Sequence, residues 1–293
     1  MVYSLHRFGC VFDEYFLFGY EHLSATERNS FITDKTRWQY YRLMNKEENL
    51  EIFDNKKNAY EVFKAYFKRD LLEISINTDK KEFCDFFDKH KRVIVKPVQG
   101  SGGKGIFVID KPQFKTAEEG FNHLQKMNKT FVAEELIQQT NEMASVHPTT
   151  VNTIRVPSVK TKNGVVIFHP FFRVGCGDSV VDNAFSGGIF APVSPDTGAV
   201  ITHGFNEKNQ MFVAHPETGI VFKGIQIPRW DEAVDFVKKL ANVIDGNNYV
   251  GWDIALTDEG WVLVEGNPRG QFVEQYATKK GVKEELEELI KNM

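Results

Sequence analysis

The segment from Gly251 to Gly270 limits the possible folds of this chain more than any other. Tyr249 to Leu256 and Trp261 to Glu265 are β-branched and aromatic runs on either side of Asp258-Glu259-Gly260. That pattern predicts two strands joined by a three-residue hairpin loop, with Gly260 at its left-handed position. In this register Thr257 faces Trp261, and Asp253 faces Glu265 directly across the ladder. Opposed carboxylates repel, so a cation is expected between them. Asn267 follows two residues after Glu265 and shares its face. Oxygen ligands from Asp253, Glu265 and Asn267 suit magnesium, with phosphates and water completing its shell. Trp252, Ile254, Val262 and Val264 between them indicate a packed sheet rather than a solvated acidic turn.

A second segment is rich in glycine. Arg92 to Pro97 reads as a strand, Gly105 to Ile109 as its return, and Gly100-Ser101-Gly102-Gly103-Lys104-Gly105 as the turn between them. Dense glycine lets backbone N–H groups approach an anion closely. Lys96 ends the first strand and Lys104 sits in the loop, so cations flank it. No Gly-Lys-Ser/Thr follows at Walker spacing, and a strand rather than a helix comes next, which excludes a P-loop and a dinucleotide fingerprint. The expectation is a lid over phosphates.

Two further stretches carry polar groups among apolar ones. Phe131 to Ile137 reads as a strand whose Glu134 and Glu135, with Gln138 beyond, are placed to accept from an adenine amine or ribose hydroxyls. Between His147 and Gly188 lie Asn152-Thr153-Ile154-Arg155, Phe171-Phe172-Arg173-Val174 and Asn183. A guanidinium among apolar residues needs a partner. For Arg155 and Arg173 that partner is either a structural carboxylate or a bound phosphate or carboxylate. His169, His203 and His215 show no metal-ligand spacing and read as structural.

The remaining pattern is mixed. The first ~90 residues read as mostly helical, with a Ser24/Glu27 capping box and a helix holding Tyr60, Phe63, Phe67 and Leu71. Helices are also expected over Thr116 to Lys129, Asp231 to Asp245 and Lys283 to Lys291. Strands and helices intermix without βαβ alternation, which predicts an α+β fold. Twenty-five Phe among 42% hydrophobic residues supply a substantial core. A net charge of −4 argues against a nucleic-acid partner. Cys10, Cys84 and Cys176 are odd in number and unpatterned, implying reduced thiols, and no run reaches the ~18 apolar residues of a membrane span. The expected location is the cytoplasm.

In this order the segments resemble the ATP-grasp superfamily, and within it the sugar-transfer-associated and alpha-L-glutamate-ligase-related groups. The residues carrying the resemblance are Val95-Lys96-Pro97 with its Gly loop, Phe131 to Ile137, Asn152-Thr153-Ile154-Arg155, and Asp253 with Glu265-Gly266-Asn267. Asp54-Asn55-Lys56 resembles the family's Asp-Lys stretch with one residue interposed, and Lys57 competes with Lys56 for its phosphate-contacting role. The resemblance spans about residues 50 to 275.

It implies ATP held between two α+β lobes (51–140 and 141–293) behind a helical segment (1–50). Lys56, Lys96, Gly100, Ser101, Gly102, Gly103 and Lys104 would meet the phosphates, and Glu134, Glu135, Leu136 and Ile137 the adenine. Asp253, Glu265 and Asn267 would hold one or two Mg²⁺, with Mn²⁺ as substitute. Arg155, Arg173 and Arg269 would act at the transferring phosphoryl and the acceptor. The activity implied is ligation of a carboxylate to an amine or other nucleophile through an acyl phosphate, with small-molecule partners, sugar-linked ones among them. By association within the subgroup, the product is an amino acid joined to a cell-surface polysaccharide precursor. A hydroxyl kinase on the same scaffold and a nucleotide-binding module without turnover are the alternatives. The residues show no clear Gly-rich βαβ unit ahead of residue 50, where many members carry one.

Overall fold

The computed structural model describes residues 2–100, 102–177 and 187–293; Ser101 and Asn183 lie outside the described residues. Strands β1 (Leu71–Ile74), β2 (Arg92–Pro97), β3 (Phe107–Asp110) and β4 (Phe131–Glu135) form an antiparallel sheet in the order β1-β4-β2-β3. Their inward residues Leu72, Val93, Val95, Ile109 and Ala133 pack against Phe83 and Phe87 of helix Lys80–His90 and Phe121 and Leu124 of helix Ala117–Gln125. Asp79 and Thr116 cap those helices, each accepting from backbone N–H groups of the first turn.

The second sheet comprises β5 (Thr153–Thr161), β6 (Gly164–Ile167), β7 (Phe171–Val174), β8 (Ile189–Pro192), β9 (Gly204–Phe205), β10 (Met211–Phe212), β11 (Tyr249–Thr257) and β12 (Gly260–Asn267). Its order is β10-β9-β8-β7-β5-β11-β12, with β6 pairing β5. β11 is buried along nearly its whole length and β5 along most of it, as central strands covered on both faces require. Helix Trp230–Ala241 covers one side with Trp230, Ala233, Val237 and Leu240. Helix Lys56–Phe67 contributes Tyr60, Phe63 and Phe67 to the same core, so its apolar face belongs with this second sheet.

The fold is α+β, as expected, and several boundaries moved. The helix with Tyr60 and Phe67 ends at Phe67, because Lys68 adopts a left-handed φ of 49°, and Leu71 opens β1 instead of continuing it. The returning strand after the Gly loop starts at Phe107, two residues late, since Gly105 has φ 74° and ends the turn. β4 stops at Glu135, so Leu136 and Ile137 leave the sheet as coil.

The hairpin is tighter than expected: Thr257 pairs with Gly260 and Leu256 with Trp261, around Asp258 and Glu259 alone. A β-bulge at Val264 then takes up one residue, and Asp253 pairs with Glu265 after all.

The N-terminal helices Val2–Phe8, Phe12–Leu17, Ala25–Asn29 and Asp34–Met44 pack on the C-terminal segment. Phe18 meets Tyr276 at 5.4 Å, Ile32 exchanges hydrogen bonds with the Gln275 amide (2.9 and 3.0 Å), and Ser30 O accepts from Lys283 N at 2.9 Å. Ser24 and Glu27 form the expected reciprocal cap. Among the described residues no helix is long and apolar enough to cross a membrane.

Candidate active site

Between the two sheets lies a cavity of about 390 Å³. Ile94, Ile106, Val108 and Phe67 line its apolar side, and Glu135 to Gln139 line one end. Arg173, Asp253, Glu265 and Gly266 line the other. Lys56, Lys96 and Gly103 lie along it between those ends.

Lys56 reaches the cavity because of the residue that separates it from Asp54. Asn55 is the N-cap of helix Lys56–Phe67, its Oδ1 accepting from Lys57 N (2.9 Å) and Asn58 N (3.3 Å). Lys56 Nζ therefore leaves the first turn toward the Gly loop and donates to Gly100 O at 3.0 Å. Burial lowers its pKa, opposed by Glu265. Lys57 points away and pairs with Glu61 at 2.5 Å. Gly102 and Gly103 have φ of 71° and 73°, a conformation that side chains rarely adopt. Gly102 and Lys104 are not among the residues lining the cavity.

Lys96 is buried and its ammonium lies 2.9 Å from Glu134 Oε1. Arg69, which showed no pattern in the sequence, holds the other carboxylate oxygen through Nε (2.9 Å) and Nη2 (2.7 Å). Burial raises the Glu134 pKa, but Lys96 and Arg69 outweigh it and hold the carboxyl at about 2. Glu134 thus lines the cavity with one oxygen engaged by Lys96 and the other by Arg69. Glu135 accepts from Asp70 N at 3.1 Å. Gln139 and Asn152 fasten the wall beyond: Gln139 Nε2 donates to Thr150 O (2.6 Å), and Asn152 N donates to Gln139 Oε1 (2.9 Å).

At the far end, four antiparallel strands set the geometry. Arg155 of β5 is the ladder partner of Asp253 in β11, and Asp253 is the partner of Glu265 in β12. Arg173 arrives from β7 opposite Thr153. Asp253 Oδ1 accepts from Arg155 Nε, and Oδ2 accepts from Arg155 Nη2 (2.8 Å) and Arg173 Nη1 (2.6 Å). Burial raises the Asp253 pKa, and the two guanidiniums overcome this and lower it. Glu265 has no hydrogen-bond partner among the described residues; burial and the Asp253 charge raise its pKa, against Lys56.

A metal was expected between the carboxylates; the two arginines donate hydrogen bonds to Asp253, while Lys56, Arg155 and Lys96 favour the ionised form of Glu265 through charge alone. Arg155 and Asn267 do not line the cavity, though each adjoins it through Asp253 or Glu265. Arg269 turns outward and pairs with Asp54.

The donor set is compatible with a hard divalent cation. Glu265 is a half-buried carboxylate without a hydrogen-bond partner among the described residues, Asn267 brings an amide oxygen, and Asp253 Oδ1 accepts one N–H and keeps a lone pair.

No curated protein matches the sequence. Among solved structures, the ATP-grasp ligase PsnB complexed with minimal precursor is 14% identical, covering 85% of this chain and 64% of its own, with TM-score 0.51. D-Alanine-D-Alanine ligase from Helicobacter pylori is 15% identical, with 87% and 66% covered and TM-score 0.49. Carboxyaminoimidazole ribonucleotide synthase from Aspergillus clavatus complexed with ATP is 14% identical, with 77% and 47% covered and TM-score 0.47. The chain therefore spans slightly under two thirds of PsnB and about half of the synthase. At these identities the likeness to PsnB speaks for the fold alone. The model of the family described as sugar-transfer associated ATP-grasp matches residues 35–291, most of the sequence, and the chain belongs to that family.

Proposed function

We propose that this protein is an ATP- and magnesium-dependent ligase that activates a carboxylate as an acyl phosphate. The observation that carries the reading is the end wall of the cavity: buried Asp253 paired with half-buried Glu265 beside two guanidiniums, with Lys56 and Lys96 lining the same cavity. In this reading adenine lies toward Glu135, Leu136 and Ile137, and the phosphates lie along Lys56, Lys96 and the loop from Gly100 to Lys104. Asp253, Glu265 and Asn267 would hold the magnesium, which would neutralise phosphate charge. The cytoplasm is the expected site of action.

The residues of this chain would then act by position and charge, without a protein nucleophile. Lys56 and Lys96 fix the polyphosphate. Arg155 and Arg173, held by Asp253, meet the charge on the transferring phosphoryl. An acceptor carboxylate oxygen forms a bond to the γ-phosphorus as the bond to the β-bridging oxygen breaks and ADP leaves. An amine then attacks the acyl carbon; a C–N bond forms, the C–O bond to phosphate breaks, and the amine loses a proton. Attachment of an amino acid to a cell-surface polysaccharide precursor fits the family description, and the acceptor is proposed at that level only.

The test is chemical trapping. Enzyme, Mg·ATP and a panel of amino acids and uronic acids are incubated with hydroxylamine. The expected result is a hydroxamate and phosphate release that both depend on one carboxylate. Transfer of labelled γ-phosphate to a stable hydroxyl ester, with no hydroxamate from any acid, would replace the ligase by a kinase.

A further inference from the structure

At the end of the cavity away from Asp253 and Glu265 stands a second group of ligand-type side chains. Asp70 immediately precedes β1, His90 is the last residue of helix Lys80–His90, and Glu135 is the last residue of β4. Asp70 is 20 residues from His90 and 65 from Glu135, so no sequence motif joins them.

The smaller sheet brings them together. Leu71 of β1 pairs with Glu134 of β4. One step on, Glu135 N donates to Asp70 O at 3.0 Å, and Asp70 N donates to Glu135 Oε2 at 3.1 Å. Two carboxylates are thereby fixed side by side, and such neighbours repel unless positive charge or a donor lies between them. The imidazole of His90 lies there. Its Nε2 is 3.0 Å from Asp70 Oδ2, and its Nδ1 is 3.9 Å from Glu135 Oε1. The His90 side chain is 7% exposed and its ring packs 4.7 Å from Phe86, so the imidazole is held in place. Both carboxylates are only half-buried, which leaves the group open to solvent.

Taking one ligand atom from each residue, the three lie within 4.8 Å of one another; among the described residues no other three His, Cys, Asp or Glu side chains do so. A tetrahedral zinc ion with bonds of ~2.0–2.1 Å holds its ligands about 3.3 Å apart. Rotation of two half-buried carboxylates closes that gap without moving the backbone. The donor set also selects the ion. Magnesium takes an all-oxygen shell, whereas an imidazole nitrogen with two carboxylates suits zinc and its neighbours in the first transition row. Lys89 Nζ, 2.5 Å from Asp70 Oδ2, already places a cation at this spot, and its exposed side chain is free to swing into water.

We propose that Asp70, His90 and Glu135 form a site for a zinc-class divalent cation, separate from the magnesium site, with water in the fourth position. Glu135 also lines the cavity, so the cation and the nucleotide share a residue. Each then changes the affinity of the other by the same factor. That coupling rests on the nucleotide placement proposed above; the cation site does not.

The test is calorimetric titration of the full chain with Zn²⁺ in a large excess of Mg²⁺. It is repeated in Glu265→Gln, so that zinc entering the magnesium site is not counted. The expected result is one equivalent bound in both proteins, with Co²⁺ giving the intense visible absorption of a four-coordinate site. His90→Ala should weaken zinc by at least about 100-fold, the upper end of what loss of an outer-shell partner costs. Asp70→Asn, which keeps the side-chain shape, should also weaken it, and Lys89→Ala should tighten it by freeing Asp70 Oδ2. Absence of saturable binding, or unchanged binding in folded His90→Ala and Asp70→Asn, would overturn the site. Zinc bound through His90 with no change in the affinity of Mg²⁺ and a non-hydrolysable ATP analogue would overturn the coupling and leave the site standing.

Discussion

Each sheet of this protein holds a buried carboxylate between two cations, and the two arrangements differ in what surrounds them. In the smaller sheet Glu134 is bound by Arg69 and Lys96, and Arg69 Nη1 also donates to Leu263 O at 2.6 Å. Every charge there has a direct partner. In the larger sheet Asp253 is bound by Arg155 and Arg173, but a second carboxylate, Glu265, stands opposite it without one. The first cluster is complete as folded and ties the two sheets together. The second leaves one half-buried carboxylate whose ionisation desolvation opposes. Closed ion clusters serve structure, and a cluster with an unmatched charge beside a cavity is a candidate for chemistry.

The sharpest way to break this contrast is Glu265→Gln. Mg²⁺-dependent ATP turnover should fall by orders of magnitude, while the melting temperature stays level or rises, because a poorly solvated carboxylate is removed. Near-normal turnover in the folded variant would end the assignment of Glu265 to the metal site. The matching change in the closed cluster, Arg69→Met, should destabilise the fold by roughly 3–5 kcal/mol, since Glu134 loses one of two counter-charges in a buried setting. Urea unfolding measures it, and a loss below about 1 kcal/mol would show the cluster to be dispensable.

Acid separates the clusters further. The Glu134 pKa lies below its ordinary 4.5, at about 2, so its contribution is fully present above pH 4.5 and is lost as pH falls toward 2. The loss is on the order of 3 kcal/mol, and Glu134→Gln should flatten that limb of the stability–pH curve. Glu274 has the opposite sign. Burial raises its pKa to about 8, and its Oε1 has no partner. Its neutral form therefore supports the fold below pH 4.5, and that support is lost as pH rises from 4.5 through 8. Glu274→Gln should be more stable than wild type at pH 9 and no more stable at pH 4, by chemical denaturation at each pH; a gain at pH 4 as large as at pH 9 would refute it.

The smallest effect concerns the Gly loop, which neither cluster braces. Hydrogen exchange at Gln99, Gly100 and Gly102 to Gly105 should slow when Mg·ATP is added, and equal exchange with saturating nucleotide would count against a lid.

Comparing the two clusters also shows which parts of the site were legible. Lys96, Glu134, Arg173, Asp253 and Glu265 were singled out from local pattern and Lys56 by the family resemblance, and all six line one cavity. Arg69 was not, because it sits in a short turn between helix and strand, where neither periodicity nor a motif marks it. Its partner Glu134 is 65 residues away in sequence. The resemblance placed Arg269 with Arg155 and Arg173 at the transferring phosphoryl and the acceptor, yet it pairs with Asp54, 215 residues distant.

What the amino-acid order determined by itself is local: strands from β-branched runs, the Gly turn, the Ser24 cap, and the residue types that suit phosphate and magnesium. Tertiary structure decided which of those residues meet. The hairpin shows the division most clearly. Its turn is one residue shorter than the glycine position suggests, which would pair Asp253 with Val264 and turn Glu265 to the opposite face. The bulge at Val264 restores the pairing of Asp253 with Glu265. Alternation along a strand fixes which side chains share a face only while the register is unbroken. A bulge resets that parity, and its place depends on how the edge strand β12 packs against β11 and helix Lys56–Phe67, which no single stretch of sequence contains.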